Sequence, residues 1–185
     1  MHKIKVWNRI NARKVVLSYF YQRCFFYNIL KQDNIIVSVL WLYDIFKTQW
    51  EIFEKSKQDF LAQIKSNLDI SDDENLDYFV NVFFNKRPVD KIDMDYVLKV
   101  WRSFEKYFVE TISQVDRHTK SFKFHEMDIM NQSLFVLWYV ERKVLKTPKE
   151  VLLNELIELA KRYDDEWSPK LINGIMHKVF NNIEQ

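Results

Sequence analysis

The chain has 185 residues, of which 48% are hydrophobic and 29% charged, ample for a packed core and unlike a disordered chain. One glycine and three prolines are too few for the turns of a β-rich fold, and they leave no glycine-rich phosphate loop, so the common nucleotide-binding fingerprints are excluded. The net charge of +2 hides an asymmetry, because residues 1–32 hold seven Lys or Arg and no Asp or Glu while the remainder carries a net −5. A cationic N-terminal end on an acidic body points to a polyanion partner at that end. The expected architecture is all-α, about six or seven helices in a single domain over residues 1–185, with no composition break sharp enough for a boundary.

In chain order, Asn8 or Asn11 can cap a first helix running to about Leu30, with Ala12, Val15, Val16, Tyr19, Phe20 and Tyr27 facing inward. Arg9, Arg13 and Lys14 then fall in its first turns, where the helix's positive end disfavours cations; a bound anion would compensate, and simple solvation is the plainer alternative. Cys24, the single cysteine, lies in an apolar run and is expected to be buried and inert. Asp33 or Asn34 opens a long helix to about Asn67, apolar nearly all round in its early part. Ser71 with Glu74 forms a capping box for a helix through Phe83, which Arg87-Pro88 ends. Met94 to Val115 reads as one amphipathic helix, His118 to Lys123 as a polar loop, and Phe124 to Leu145 as mostly helix. Thr147-Pro148 with Glu150, and then Ser168-Pro169, are two helix starts that define a C-terminal helical hairpin with Asp164-Asp165-Glu166 at its loop. Gly174 sits inside the last helix at a cost of about 1 kcal/mol relative to alanine, and close approach of another helix is the expected compensation.

Other classes fare poorly. Met1 to Asn11 is polar where the apolar part of a signal peptide would begin, and the run from Ile35 to Tyr43 is far short of a membrane span, so a cytoplasmic protein with no membrane contact is expected. His125-Glu126 begins a zinc-protease motif, but Ile129 stands where the second histidine belongs. Four scattered histidines and one cysteine offer no metal-ligand spacing, and Ser71-Asp72-Asp73-Glu74 is better explained as a helix cap than a calcium loop. No enzyme activity, cofactor or metal is expected.

Two stretches resemble a known family. The hairpin contains Val151, Asn154, Glu155, Glu158, Leu159, Ala160 and Lys161, followed by Ser168, Pro169, Lys170, Asn173 and Gly174. This order resembles the C-terminal signature of the bacterial transcription antitermination factors of the NusB family. The first helix adds Arg9, Ala12, Arg13, Lys14 and Tyr21, similar to the arginine-rich segment with which that family begins. The likeness covers roughly residues 8–22 and 130–182, and the middle from about 47 to 125 resembles nothing specific and looks enlarged.

The resemblance implies a NusB-like helical bundle that holds a single-stranded boxA-like RNA element, together with the ribosomal protein NusE and the transcription elongation complex. It places Arg9, Arg13 and Tyr21 at the RNA, with Lys3, Lys5 and Lys14 supplying further charge and Lys170 extending the basic face. Phosphates on cations and bases on an aromatic suit single-stranded RNA, while a core tyrosine with its hydroxyl at the surface is the competing role for Tyr21. Asp128 matches an acid at the family's partner contact, and an exposed helix cap is its equal alternative. Departures stand at Ile10 and Asn11, where arginines are common, and at Trp167 and Leu171 around the hairpin loop. Trp167 either stacks a base or plugs the hairpin. These departures keep a second function open, a protein-interaction module of the same fold without RNA affinity. A third is the non-catalytic RNA-binding part of an RNA methyltransferase. Self-association into a homodimer is compatible with any of them.

Overall fold

The computed structural model describes residues 2–31, 58–63, 65–66, 72–79, 92–120, 123–163 and 168–183. Besides the helical residues 58–63 and 65–66, they contain seven α-helices, one 3-10 turn and no strand. They are α1 (His2–Lys31), α2 (Asp72–Tyr78), α3 (Met94–Trp101), α4 (Phe104–His118), the 3-10 turn Phe124–Glu126, α5 (Ile129–Leu145), α6 (Lys149–Tyr163) and α7 (Ser168–Ile183). The Ser71 capping box, the Arg87-Pro88 stop and most of the long second helix expected from 35 to 67 lie outside the described residues; 58–63 and 65–66 are helical.

α5 is the axis of the fold. Every residue from Asn131 to Glu141 is buried, so this helix is enclosed on all sides rather than along one stripe. It packs against α1, α3, α4, α6 and α7. Asp128 starts it, accepting the backbone N–H of Asn131 at 2.9 Å. It ends at Lys146, held in the left-handed region at φ 54°, a conformation that ordinarily favours glycine.

Aromatic rings fill the space between α1, α3 and α4. Tyr19 stacks on Trp101 with centroids 3.5 Å apart, Phe79 meets Trp101 edge-on, and Phe104 lies against Phe20 at 4.9 Å. Cys24 is fully buried near Ser133, and burial pushes its thiol up to about 12, as expected of an inert core cysteine.

Four local expectations need correction. α1 starts at His2, so Asn8 and Asn11 are interior positions and Arg9, Arg13 and Lys14 lie beyond the first turns, where the helix dipole has little hold on them. The stretch from Met94 to Val115 is two helices. Ser103 N–H turns to Val100 C=O at 3.2 Å and its hydroxyl takes Lys99 C=O at 2.9 Å, local bonds that divert the backbone from the helical ladder. The Thr147 hydroxyl donates to Glu141 Oε1 at 3.0 Å, a tertiary bond that helix-start logic did not foresee. At Gly174 an added Cβ would meet nothing within 4 Å, and the residue is exposed, so no helix approaches it closely.

Candidate nucleic-acid interface

The basic segment of α1 divides into an inner and an outer part. Arg13 points inward and is 5% exposed. Its Nε and Nη2 donate to Glu141 Oε2 and Oε1 at 3.0 and 2.8 Å, a two-pronged pairing, while Nη1 donates to Glu155 Oε2 at 3.0 Å. Glu141 also accepts the hydroxyls of Tyr96 at 2.6 Å and Thr147 at 3.0 Å. One buried carboxylate therefore ties α1, α3, α5 and the α5–α6 connection together. Burial opposes the charge of Arg13, but the Glu141 hydrogen bonds and the charges of Glu141 and Glu155 outweigh it and hold the guanidinium's proton above its ordinary value. Burial, reinforced by the Glu141 charge, likewise raises the Tyr96 phenol well above its ordinary value.

Arg13 consequently leaves the set of residues available to an RNA phosphate: both carboxylates already use its donors and solvent barely reaches it. Lys14 is also buried and already has an interaction within the fold. Helical spacing alone does not indicate this: Arg13 stands seven positions before the fully buried Phe20, but Arg9 stands seven before the equally buried Val16.

The outer part keeps Arg9 and Tyr21. Arg9 retains 37% side-chain exposure, bridges to Asp93 at 2.9 Å and lies 4.5 Å above the Tyr96 ring. Tyr21 is 39% exposed, and Phe25 one turn later is equally exposed. Twelve positions separate Arg9 from Tyr21, about 18 Å along the helix and about 120° around it, so they do not share one face. Lys3 and Lys5 belong to the first turns of α1, with side chains outside the described residues. Lys170 is exposed on the first turn of α7.

Asp128 is exposed and caps α5, and it also holds the Asn131 amide, whose oxygen accepts the buried Ser168 hydroxyl at 2.6 Å. The serine of the Ser-Pro-Lys start thus anchors α7 to α5. Trp167 and the hairpin loop lie outside the described residues. Among the described residues no group of three or more His, Cys, Asp or Glu could hold a metal ion, and no helix is long and apolar enough to cross a membrane.

The sequence profile described as "NusB family" matches residues 56–181, more than half of the chain. The chain belongs to the NusB family. Relatives named transcription antitermination protein NusB include one from Clostridium botulinum, 34% identical over 89 residues, which are 48% of this chain and 63% of that protein. Another, from Clostridium kluyveri, is 26% identical over 131 residues, or 69% of this chain and 84% of the relative. A third, from Clostridium perfringens, is 27% identical over 130 residues and is covered to 96% of its length. The profile match corrects the extent of the likeness. It runs through the middle from 56 to 125, which shows no specific motif, and it begins after α1, so the arginine-rich segment at residues 8–22 lies outside it.

Proposed function

We propose that this protein is an RNA-binding antitermination factor that holds a boxA-like single-stranded RNA, together with NusE and the transcription elongation complex. Membership of the NusB family carries the proposal, since its relatives bear the name of that activity. The charge of residues 1–32, all of it positive, adds an electrostatic reason to look to α1. In this role Arg9 contacts phosphate, Tyr21 offers a ring on which a base stacks, and Lys3, Lys5 and Lys170 add positive field. Asp128 remains the candidate contact to the protein partner. The work is binding alone, with no covalent chemistry.

One observation favours a second function. Arg13 and Lys14 are buried, which leaves the outer surface of α1 less basic than its sequence, as expected of an interaction module that does not use RNA.

Titration of a short boxA-type RNA at several salt concentrations, with and without NusE, separates the two. Binding should weaken with salt at about −0.7 log units per log unit for each phosphate contact on a single strand. Arg9→Ala should flatten that slope by about 0.7. Tyr21→Ala should cost about 1–3 kcal/mol and leave the slope nearly unchanged, because stacking releases no counterions. Absence of binding with NusE present, or affinity indifferent to both substitutions, supports the interaction module instead.

A further inference from the structure

Asp93 holds Arg9 with geometry that a phosphate would also require. Its backbone N–H donates to Asn8 C=O at 3.2 Å, fixing the start of α3 against α1. Its two carboxylate oxygens then divide their work. Oδ1 caps α3 by accepting Tyr96 N–H at 3.0 Å, and Oδ2 accepts Arg9 Nε at 3.0 Å and Nη2 at 2.9 Å. The guanidinium carbon of Arg9 lies 4.5 Å from the centre of the Tyr96 ring, whose hydroxyl is tied to Glu141. Arg9 is therefore positioned by two residues of α3, and its Nε–Nη2 edge, one of the two edges that grip a phosphate, already holds an anion.

We propose that Asp93 is a built-in competitor that sets the affinity of Arg9 for nucleic-acid phosphate. This rests on the assignment of Arg9 as an RNA contact. A phosphate reaching the Nε–Nη2 edge must displace Oδ2, and one that approaches the other edge meets the carboxylate's negative charge close by. The side chains of Arg9 and Asp93 are 37% and 27% exposed, so water screens the pair and the competition is weak enough for a polyanion to win. Asp93 thus tempers the basic end without blocking it.

Asp93→Asn isolates the effect, because asparagine caps a helix as well as aspartate and keeps an acceptor for Tyr96 N–H while losing the charge. Far-UV circular dichroism and a urea melt check that the full chain folds as before. In fluorescence titrations with a short single-stranded RNA, Asp93→Asn should bind about two- to fivefold more tightly, at nearly the same salt slope because Arg9 makes one phosphate contact in both proteins. Asp95→Asn removes the same charge two residues on, from an acid paired with Lys99, and should change little. In an Arg9→Ala background the gain from Asp93→Asn should vanish. A gain that Asp95→Asn matches, or that survives Arg9→Ala, is a general charge effect and overturns the proposal. If the wild type binds and Asp93→Asn binds no tighter, the competitor assignment alone fails. If neither binds with NusE present, the RNA assignment fails and takes this one with it.

Discussion

An unpaired carboxylate at position 141 would be severely destabilising, since Glu141 has no exposed surface; Arg13, Tyr96 and Thr147 make it tolerable. Breaking a buried ion pair by removing one partner leaves the other charge uncompensated. Arg13→Ala should therefore lower stability by about 3–5 kcal/mol, read as a fall in the urea midpoint. Arg9→Ala, four positions earlier on the same helix but half in solvent, should cost no more than about 1 kcal/mol. A loss below about 1 kcal/mol for Arg13→Ala would show that its carboxylates find other partners and that the cluster does not hold the helices together. The two arginines look alike in a list of cations. What separates them is the presence of an acid in α5, because the residues seven positions on, Val16 and Phe20, are both fully buried and local spacing treats the two arginines alike. Glu141 closes an apolar run from Leu134 to Val140, a position where an acid signals a buried partner, yet nothing in the sequence names Arg13 as that partner across 128 positions.

Elements were legible where a single pattern decided them. The inward face of α1 and the hairpin of α6 and α7 follow from helical spacing, and the Asp128 cap from capping chemistry. The break at Arg102-Ser103 was not legible, because the apolar stripe runs through it from Val100 and Trp101 to Phe104. Only the serine's diverted hydrogen bonds end the helix there. Gly174 is helical, as its spacing predicts, but it is not the packing glycine that its cost suggests. With open space where its Cβ would stand and ordinary helical backbone, it carries the entropy cost of glycine with no steric return. Gly174→Ala should accordingly raise stability by about 1 kcal/mol, seen as a higher urea midpoint at unchanged slope. Destabilisation instead would mean that the α7 backbone is approached from a side that the fold leaves open.

At the scale of the whole molecule, polarity and charge are arranged differently from how composition suggests. The basic end is partly internal, and burial holds several ionisable groups in their neutral form. Cys24, Tyr96, Tyr139 and Tyr27 all hold their protons to higher pH than they would in an unfolded chain, in each case first because burial disfavours the charged form. The sign of the consequence is fixed by linkage. A group whose pKa is raised by folding contributes stability that is fully present below its unfolded pKa and is lost as pH rises toward the folded value. For Cys24 that window opens near its ordinary 9.0 and closes near 12, with a slope of about 1.4 kcal/mol per pH unit at most. The tyrosines add to the slope above their ordinary 10.0. Urea melts should show no contribution from these groups between pH 7 and 8, then a decline that starts near pH 9 and steepens above 10. Lysine deprotonation overlaps this range, so the informative comparison is with Cys24→Ala, which should lose stability at neutral pH through the small cavity but decline less between pH 9 and 10. Parallel curves for the two proteins would show that the native fold lets Cys24 ionise, and a thiol reagent that labels the folded chain at pH 8 would establish the same point independently.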